Sequence, residues 1–196
     1  MRTILDSTET VEGFEHALSQ AIFPPHLTEL ALSFSSFPAK EIQARFENTN
    51  LPSSLTELSL LESITITPST IAALPSSLHT LSANVDPKRP ISEYNMPLAS
   101  LPQSLLHLHI LNAAYTGLQV PLSKLPRRLQ DLHLPQYCLQ NNEDLALLPP
   151  SITQITLNVD NLSREGILKF APPLSRDSLL TALYSTKSLF FETDGI

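Results

Sequence analysis

The sequence is poor in the residues that build the common catalytic and metal-binding motifs. It has one cysteine (Cys138), four glycines and no tryptophan in 196 residues. A single cysteine excludes an intramolecular disulfide and the zinc patterns that use paired cysteines. The few glycines form neither the dinucleotide-binding motif G-x-G-x-x-G nor the phosphate-binding motif G-x-x-x-x-G-K-S/T. The motifs G-x-S-x-G and H-E-x-x-H are also absent, so we expect no enzyme activity and no cofactor.

Basic residues and long apolar runs are scarce as well. Lysine and arginine number 12 against 19 aspartates and glutamates, and the formal net charge is −7. Nucleic-acid-binding domains normally have a basic face, so we expect no nucleic-acid partner and interpret Lys124, Arg127 and Arg128 as a solvated edge. No run approaches the roughly 18 apolar residues of a membrane span, and residues 1–10 lack the apolar segment of a signal peptide. Together with the single cysteine, these features predict a cytoplasmic protein with no membrane partner.

Leucine and proline are abundant, and they recur in one phrase. The clearest copy is LPSSLTELSL at 51–60, and related copies begin at Phe23, Leu74, Leu101, Leu125 and Leu148. The proline at the second position falls at 24, 52, 75, 102, 126 and 149, so the steps are 28, 23, 27, 24 and 23 residues. A period in this range is typical of a solenoid, in which successive coils stack on one another.

Each copy contains the pattern L-x-x-L-x-L, and Leu58 and Leu60 alternate with polar Glu57 and Ser59. Alternation of period two predicts a half-buried strand. The preceding proline has no N–H to donate, which suits a corner where no ladder hydrogen bond is needed. Between copies, the segments 69–74, 142–148 and 163–170 have short helical patterns that begin with Ser or Asn.

This build resembles the leucine-rich repeat family, in its Leu-Pro-rich LPxSLxxLxL variant, over about residues 23–162. The resemblance implies an α/β solenoid of about seven or eight coils, with a parallel sheet on the concave side and short helices or turns on the convex side. We expect one domain over 1–196, with an N-terminal cap or incomplete coil at 1–22, repeats at 23–174 and a C-terminal cap or tail at 175–196. The family's asparagine position is occupied here by other residues, which predicts irregular loops. Those residues are Ser35, Ser63, Asp86, Ala113, Tyr137 and Asp160.

Segments between and beyond the regular copies are also predicted. We expect helices at 11–22 and 39–46 and a proline-rich loop at 86–97. A seventh corner is expected at 171–174, followed at 178–184 by either a last strand or a capping helix.

Stacking of the copies predicts columns of side chains on the concave face, where such proteins usually bind their partners. The first column is Glu29, Glu57, Thr80, His107, Asp131 and Gln154. The second is Ala31, Ser59, Ser82, His109, His133 and Thr156. The third is Ser33, Leu61, Asn84, Leu111, Pro135 and Asn158.

The predicted function is a non-catalytic scaffold that binds another protein through this face. The predicted contact residues are Glu57, Ser59, Thr80, Ser82, His107, His109, Asp131, His133, Gln154 and Thr156. The alternatives are a recognition arm of a larger protein, such as a ubiquitin ligase or an effector, a structural spacer, and a metal-binding or enzymatic site at the histidines.

The sharpest local prediction concerns those histidines. The columns predict that His107 faces Asp131 and that His109 faces His133 on the next strand, about 4.8 Å away. Three imidazoles and a carboxylate suit a zinc ion, although ordinary exposed side chains explain the pattern as well. A third hypothesis needs no metal, because neighbouring histidines that repel one another when charged make a surface pH-sensitive. Cys138, near His133 in sequence, is interpreted as a packing residue rather than a nucleophile.

Overall fold

The structure is a computed structural model. It describes residues 2–6, 23–33, 46–47, 49–84, 100–111, 122–138, 142–158, 179–183 and 188–191. The strands of these residues are β1 (Arg2–Asp6), β2 (Glu29–Ser33), β3 (Glu57–Thr65), β4 (Thr80–Asn84), β5 (His107–Leu111), β6 (Asp131–Cys138), β7 (Gln154–Asn158), β8 (Leu179–Leu183) and β9 (Ser188–Phe191).

The strands form one sheet in which each strand pairs with the next one along the chain. Strands β1 to β8 are parallel, and β9 runs antiparallel to β8. Leu58 and Leu81 are partners on neighbouring strands, as the repeat predicted. The expectation of a parallel sheet built from successive copies of the phrase is therefore confirmed.

The Leu-Pro corner is a tight turn that is repeated in each copy. The proline carbonyl accepts a hydrogen bond from the backbone N–H three residues later, for example Leu55 N–H to Pro52 at 3.1 Å and Leu78 N–H to Pro75 at 3.1 Å. Proline is suited to this position, because the turn's hydrogen bond uses its carbonyl and not the backbone N–H that proline lacks. The same bond satisfies the N–H of a leucine whose side chain is fully buried.

A serine hydroxyl links each of four corners to the coil before it. Ser54 donates to the Leu27 carbonyl at 2.7 Å, Ser77 to Leu55 at 2.7 Å, Ser104 to Leu78 at 2.6 Å and Ser151 to Leu129 at 2.6 Å. We call these four hydroxyls the serine ladder. They explain why serine recurs at the fourth position of the phrase, a role that the sequence analysis did not predict. The equivalent position of the fifth copy is Arg128.

Backbone hydrogen bonds at the start of each strand hold the register. The Thr56 carbonyl accepts from His79 N–H at 2.8 Å and from Thr80 N–H at 2.9 Å. The Leu106 carbonyl likewise accepts from Gln130 and Asp131, at 2.7 and 3.0 Å. These paired bonds align the first residue of one strand with the first residue of the next. Each column therefore starts from equivalent positions on adjacent strands.

The core is a row of leucines and isoleucines behind the sheet. The strand positions Leu30, Leu58, Leu81, Leu108, Leu132 and Ile155 are all buried. The corner residues Leu27, Leu55, Leu78, Leu105, Leu129 and Ile152 are buried with them in one cluster. Because these positions alternate with the outward ones, the buried row fixes which side chains face away from the core.

The connecting segments contain short helices. Helix α1 (Pro68–Ala72) begins earlier than the predicted 69–74, because Thr67 caps it through the N–H of Thr70 and Pro68 occupies its first turn. Two 3₁₀ helices span Leu122–Lys124 and Asn142–Leu147, the second within the predicted helical segment 142–148. Of the alternatives for 178–184, the strand is correct, since β8 lies there.

Several predictions lie outside the described residues. They are the helix at 11–22, the loop at 86–97, the helical segment at 163–170, the corner at 171–174 and nearly all of the segment 39–46. The side chains at the family's asparagine position also lie outside them.

The third predicted column is confirmed for Ser33 with Leu61 and for Asn84 with Leu111, but it is wrong at two other steps. Ser33 pairs with Leu61 as expected, but Asn84 pairs with Thr65 because the register shifts between Leu60 and Thr65. A second shift lies between Leu134 and Cys138, so Cys138 is the partner of Asn158. Strands β3 and β6 are longer than their neighbours, and the extra residues interrupt the column. Asn84 itself is buried.

Candidate functional site

The two remaining columns lie side by side on the sheet, with the register that the repeat predicted. Partners run from Glu29 through Glu57, Thr80, His107 and Asp131 to Gln154. The second column runs from Ala31 through Ser59, Ser82, His109 and His133 to Thr156. We call the twelve residues of these two columns the polar face.

The polar face is mostly accessible to solvent. Glu57 and Gln154 are exposed, and all other members except Thr156 are half-buried. Thr156 is only 8% exposed and is the one buried member of the polar face, and its role as a contact residue stays a prediction. It is a short side chain whose backbone is flanked by His133 on one side and by β8 on the other. A side chain of this length between two strands extends little beyond its neighbours.

The polar face has three carboxylates and no lysine or arginine in its two columns. The carboxylates are Glu29, Glu57 and Asp131. The two glutamates are partners on adjacent strands. They line a shallow depression of about 140 Å³ together with Leu30, Ala31 and Ser59.

Asp131 joins two histidines of the preceding strand. Its Oδ2 lies 2.7 Å from His109 Nε2 and 3.9 Å from His107 Nδ1. His107 is the backbone partner of Asp131, as predicted, but the hydrogen bond goes to the diagonal neighbour His109. Diagonal neighbours on one sheet face are within reach of long or aromatic side chains, and the imidazole extends far enough to reach the carboxylate.

His109 and His133 are partners on adjacent strands, and their rings meet edge to face, with centroids 5.8 Å apart and planes at 65°. Neither ring is buried, so the predicted arrangement of solvent-facing neighbours is confirmed. Burial lowers the pKa of His133 below its ordinary value of 6.5, and the neighbouring His109 lowers it further. Asp131 acts in the opposite direction but does not cancel these effects. His133 is therefore neutral at pH 7.

Within the described ranges, no group of three or more His, Cys, Asp or Glu side chains is arranged to hold a metal ion. The four residues interpreted as a possible zinc site instead have Asp131 bonded to His109 and the two rings edge to face. Cys138 ends β6, and its side chain is outside the description, so its packing role remains a prediction. The helices in the described part of the chain are all too short or too polar to cross a bilayer.

The in-order parallel sheet and the repeated Leu-Pro corners define a repeat protein of leucine-rich-repeat-like build. No family model matches the sequence, and no curated protein matches it. Among solved structures, the chain is similar to the leucine-rich repeat-containing protein LegL7 from Legionella pneumophila, at 18% sequence identity and a TM-score of 0.43. The similarity covers 81% of this chain and 64% of LegL7.

Proposed function

We propose that this chain is a non-catalytic scaffold that binds another protein through the polar face. The observation that supports the proposal is the register, which brings polar side chains from six successive strands together in two adjacent columns. In repeat proteins such faces are the usual binding surfaces, and we further propose that this one is the concave side of the solenoid.

The rigidity of the face favours binding. Its side chains project from strands that are hydrogen-bonded to neighbours on both sides and backed by fully buried leucines. A surface held in this way loses little conformational entropy when a partner docks, so more of the contact energy appears as affinity. The half-buried histidines at the centre of the columns are suited to contribute most, since partly desolvated central residues dominate many interfaces.

The proposal is tested with a triple variant of the face, Glu57→Ala, His109→Ala and His133→Ala. The matched control is Ser53→Ala, Ser76→Ala and Gln103→Ala, which changes three residues at the corners, all of them exposed. Each protein is immobilised, and the partners captured from a lysate are quantified by mass spectrometry. Circular dichroism and the thermal midpoint check that both variants are folded.

We expect partners that bind the wild type and the corner variant equally but are lost from the face variant. Partners retained by the face variant and lost from the corner variant would place the interface at the corners and contradict the proposal. Equal capture by all three proteins would also contradict it.

A further inference from the structure

The chemistry of the polar face indicates which kind of protein segment it fits. Acidic groups stand at two separated places in the first column, Glu29 and Glu57 on β2 and β3, and Asp131 on β6. Neither column contains a lysine or an arginine, and Glu57 and Asp131 are the two carboxylates considered as contacts for a cation. Surfaces that bind proteins are usually complementary in charge to their partners, so a face of this composition favours a cationic segment.

One carboxylate oxygen of Asp131 takes no part in the contacts with His107 and His109. Both histidine contacts use Oδ2, and no described residue hydrogen-bonds to Oδ1. The Asp131 side chain is 17% exposed, so part of it is accessible to a group arriving at the face. Hydrogen bonds between a guanidinium or ammonium group and a carboxylate are about twice as strong as neutral ones.

The neighbouring rings also suit a cation at neutral pH. His133 is uncharged at pH 7 and does not repel it. The rings of His109 and His133 form an edge-to-face wall beside Asp131 against which a planar guanidinium can pack. The residues that flank the cluster on β4 and β7 are Thr80, Ser82, Gln154 and Thr156, and none of them titrates near neutral pH. The nearest other ionisable group in the columns is Glu57.

We propose that the partner presents a basic, extended segment that crosses the strands, with one cationic side chain at Asp131 and a second at Glu57, and that acid weakens its binding by charging His133. This inference rests on the proposed function. Three strand spacings separate β3 from β6, which corresponds to about 14 Å. An extended chain covers about the same distance in four residues, so the two cations should be four positions apart.

The probe is a fluorescently labelled peptide with two arginines four positions apart and threonine elsewhere. One comparison peptide has the arginines two positions apart, and another has glutamates in their place. Anisotropy titrations with the full chain are made at low ionic strength, at about pH 7.5 and about pH 5.5. The protein variants are Asp131→Asn and Glu57→Gln, with Glu143→Gln as a charge-matched control on the 3₁₀ helix Asn142–Leu147.

We expect the peptide with four-residue spacing to bind most tightly and to lose about fivefold in affinity at the lower pH. Asp131→Asn and Glu57→Gln should each weaken binding, whereas Glu143→Gln should not. His133→Gln should weaken binding at about pH 7.5, because part of the ring wall is lost, and should remove most of the pH dependence, which a purely structural effect of acid would leave in place.

Three results would overturn the inference. They are equal or tighter binding of the glutamate peptide, equal effects of the face and control variants, and no binding of the arginine peptide up to about millimolar concentration. Lysate partners that still depend on the face residues in that last case would show that the scaffold function is correct and that only the basic partner is wrong.

Discussion

At the scale of single residues, His133 is the side chain whose properties depend most clearly on its neighbours. Its pKa is lowered by burial first and by His109 second, while Asp131 raises it. Replacing His109 with glutamine should therefore raise the pKa of His133, but not fully to 6.5, because burial remains. Asp131→Asn should lower the pKa further. NMR titration of the His133 ring protons measures both shifts, and a shift in the same direction for both variants would contradict this account.

The lowered pKa of His133 also makes folding stability depend on pH. In the unfolded chain His133 binds a proton near pH 6.5, whereas in the folded chain it binds one only at lower pH. Between these values the unfolded state holds more protons, so stability falls as pH falls below about 6.5. Urea unfolding at about pH 7.5 and about pH 5.5 should show a smaller loss of stability for His133→Gln than for the wild type. An equal or larger loss would assign the acid sensitivity to other groups.

At the scale of repeated elements, the serine ladder is the feature that joins one corner to the next. Ser77 donates to the Leu55 carbonyl at 2.7 Å, while its neighbour Ser76 is exposed. Removing one neutral hydrogen bond typically costs about 1 kcal/mol. We expect Ser77→Ala to lower the free energy of unfolding by about that amount and Ser76→Ala to change it little. Urea denaturation of the two alanine variants makes the comparison, and equal losses would show that the hydroxyl bond is not what stabilises the corner.

The fifth copy has no serine at the ladder position, which permits the reverse experiment. Arg128 stands there, and the equivalent acceptor is the Leu105 carbonyl of the preceding coil. Arg128→Ser should restore the missing link and raise the free energy of unfolding by about 0.5 to 1 kcal/mol. Arg128→Ala separates the gain of the hydroxyl from the loss of the arginine. If serine is no more stable than alanine at this position, the ladder does not extend to this corner.

The elements that the sequence predicted well are those governed by repetition. Alternating leucines determine which strand face is buried, and one recurring corner determines where each strand starts, so the register of Leu58 with Leu81 followed directly. The register shifts in β3 and β6 were not predictable, because they depend on how the longer segments after Leu60 and Leu134 are accommodated.

The hydrogen bond from His109 to Asp131 was not predicted for another reason. Column alignment identifies partners directly across the sheet, whereas rotamers decide which diagonal contact forms.

At the scale of the whole molecule, the sheet has an almost one-dimensional organisation. Each strand pairs only with the strands before and after it in sequence, among the residues described. Stability in such an array is approximately a sum of the stabilities of the coils and of their contacts with neighbours. A weakened coil at one end therefore frays locally, whereas a weakened coil in the middle reduces the support of coils on both sides.

Two matched core substitutions test this organisation. Leu30 on β2 and Leu81 on β4 occupy equivalent strand positions and are both buried. Replacing either leucine with alanine removes similar contacts, with a typical cost of about 2 to 5 kcal/mol.

Hydrogen exchange measured by mass spectrometry should show loss of protection confined to β1, β2 and β3 for Leu30→Ala. For Leu81→Ala the loss should extend over β3, β4 and β5. Because the histidine cluster lies on β5 and β6, only Leu81→Ala should also disturb the edge-to-face contact of His109 with His133. Identical, chain-wide loss of protection in both variants would mean that the molecule unfolds as one cooperative unit.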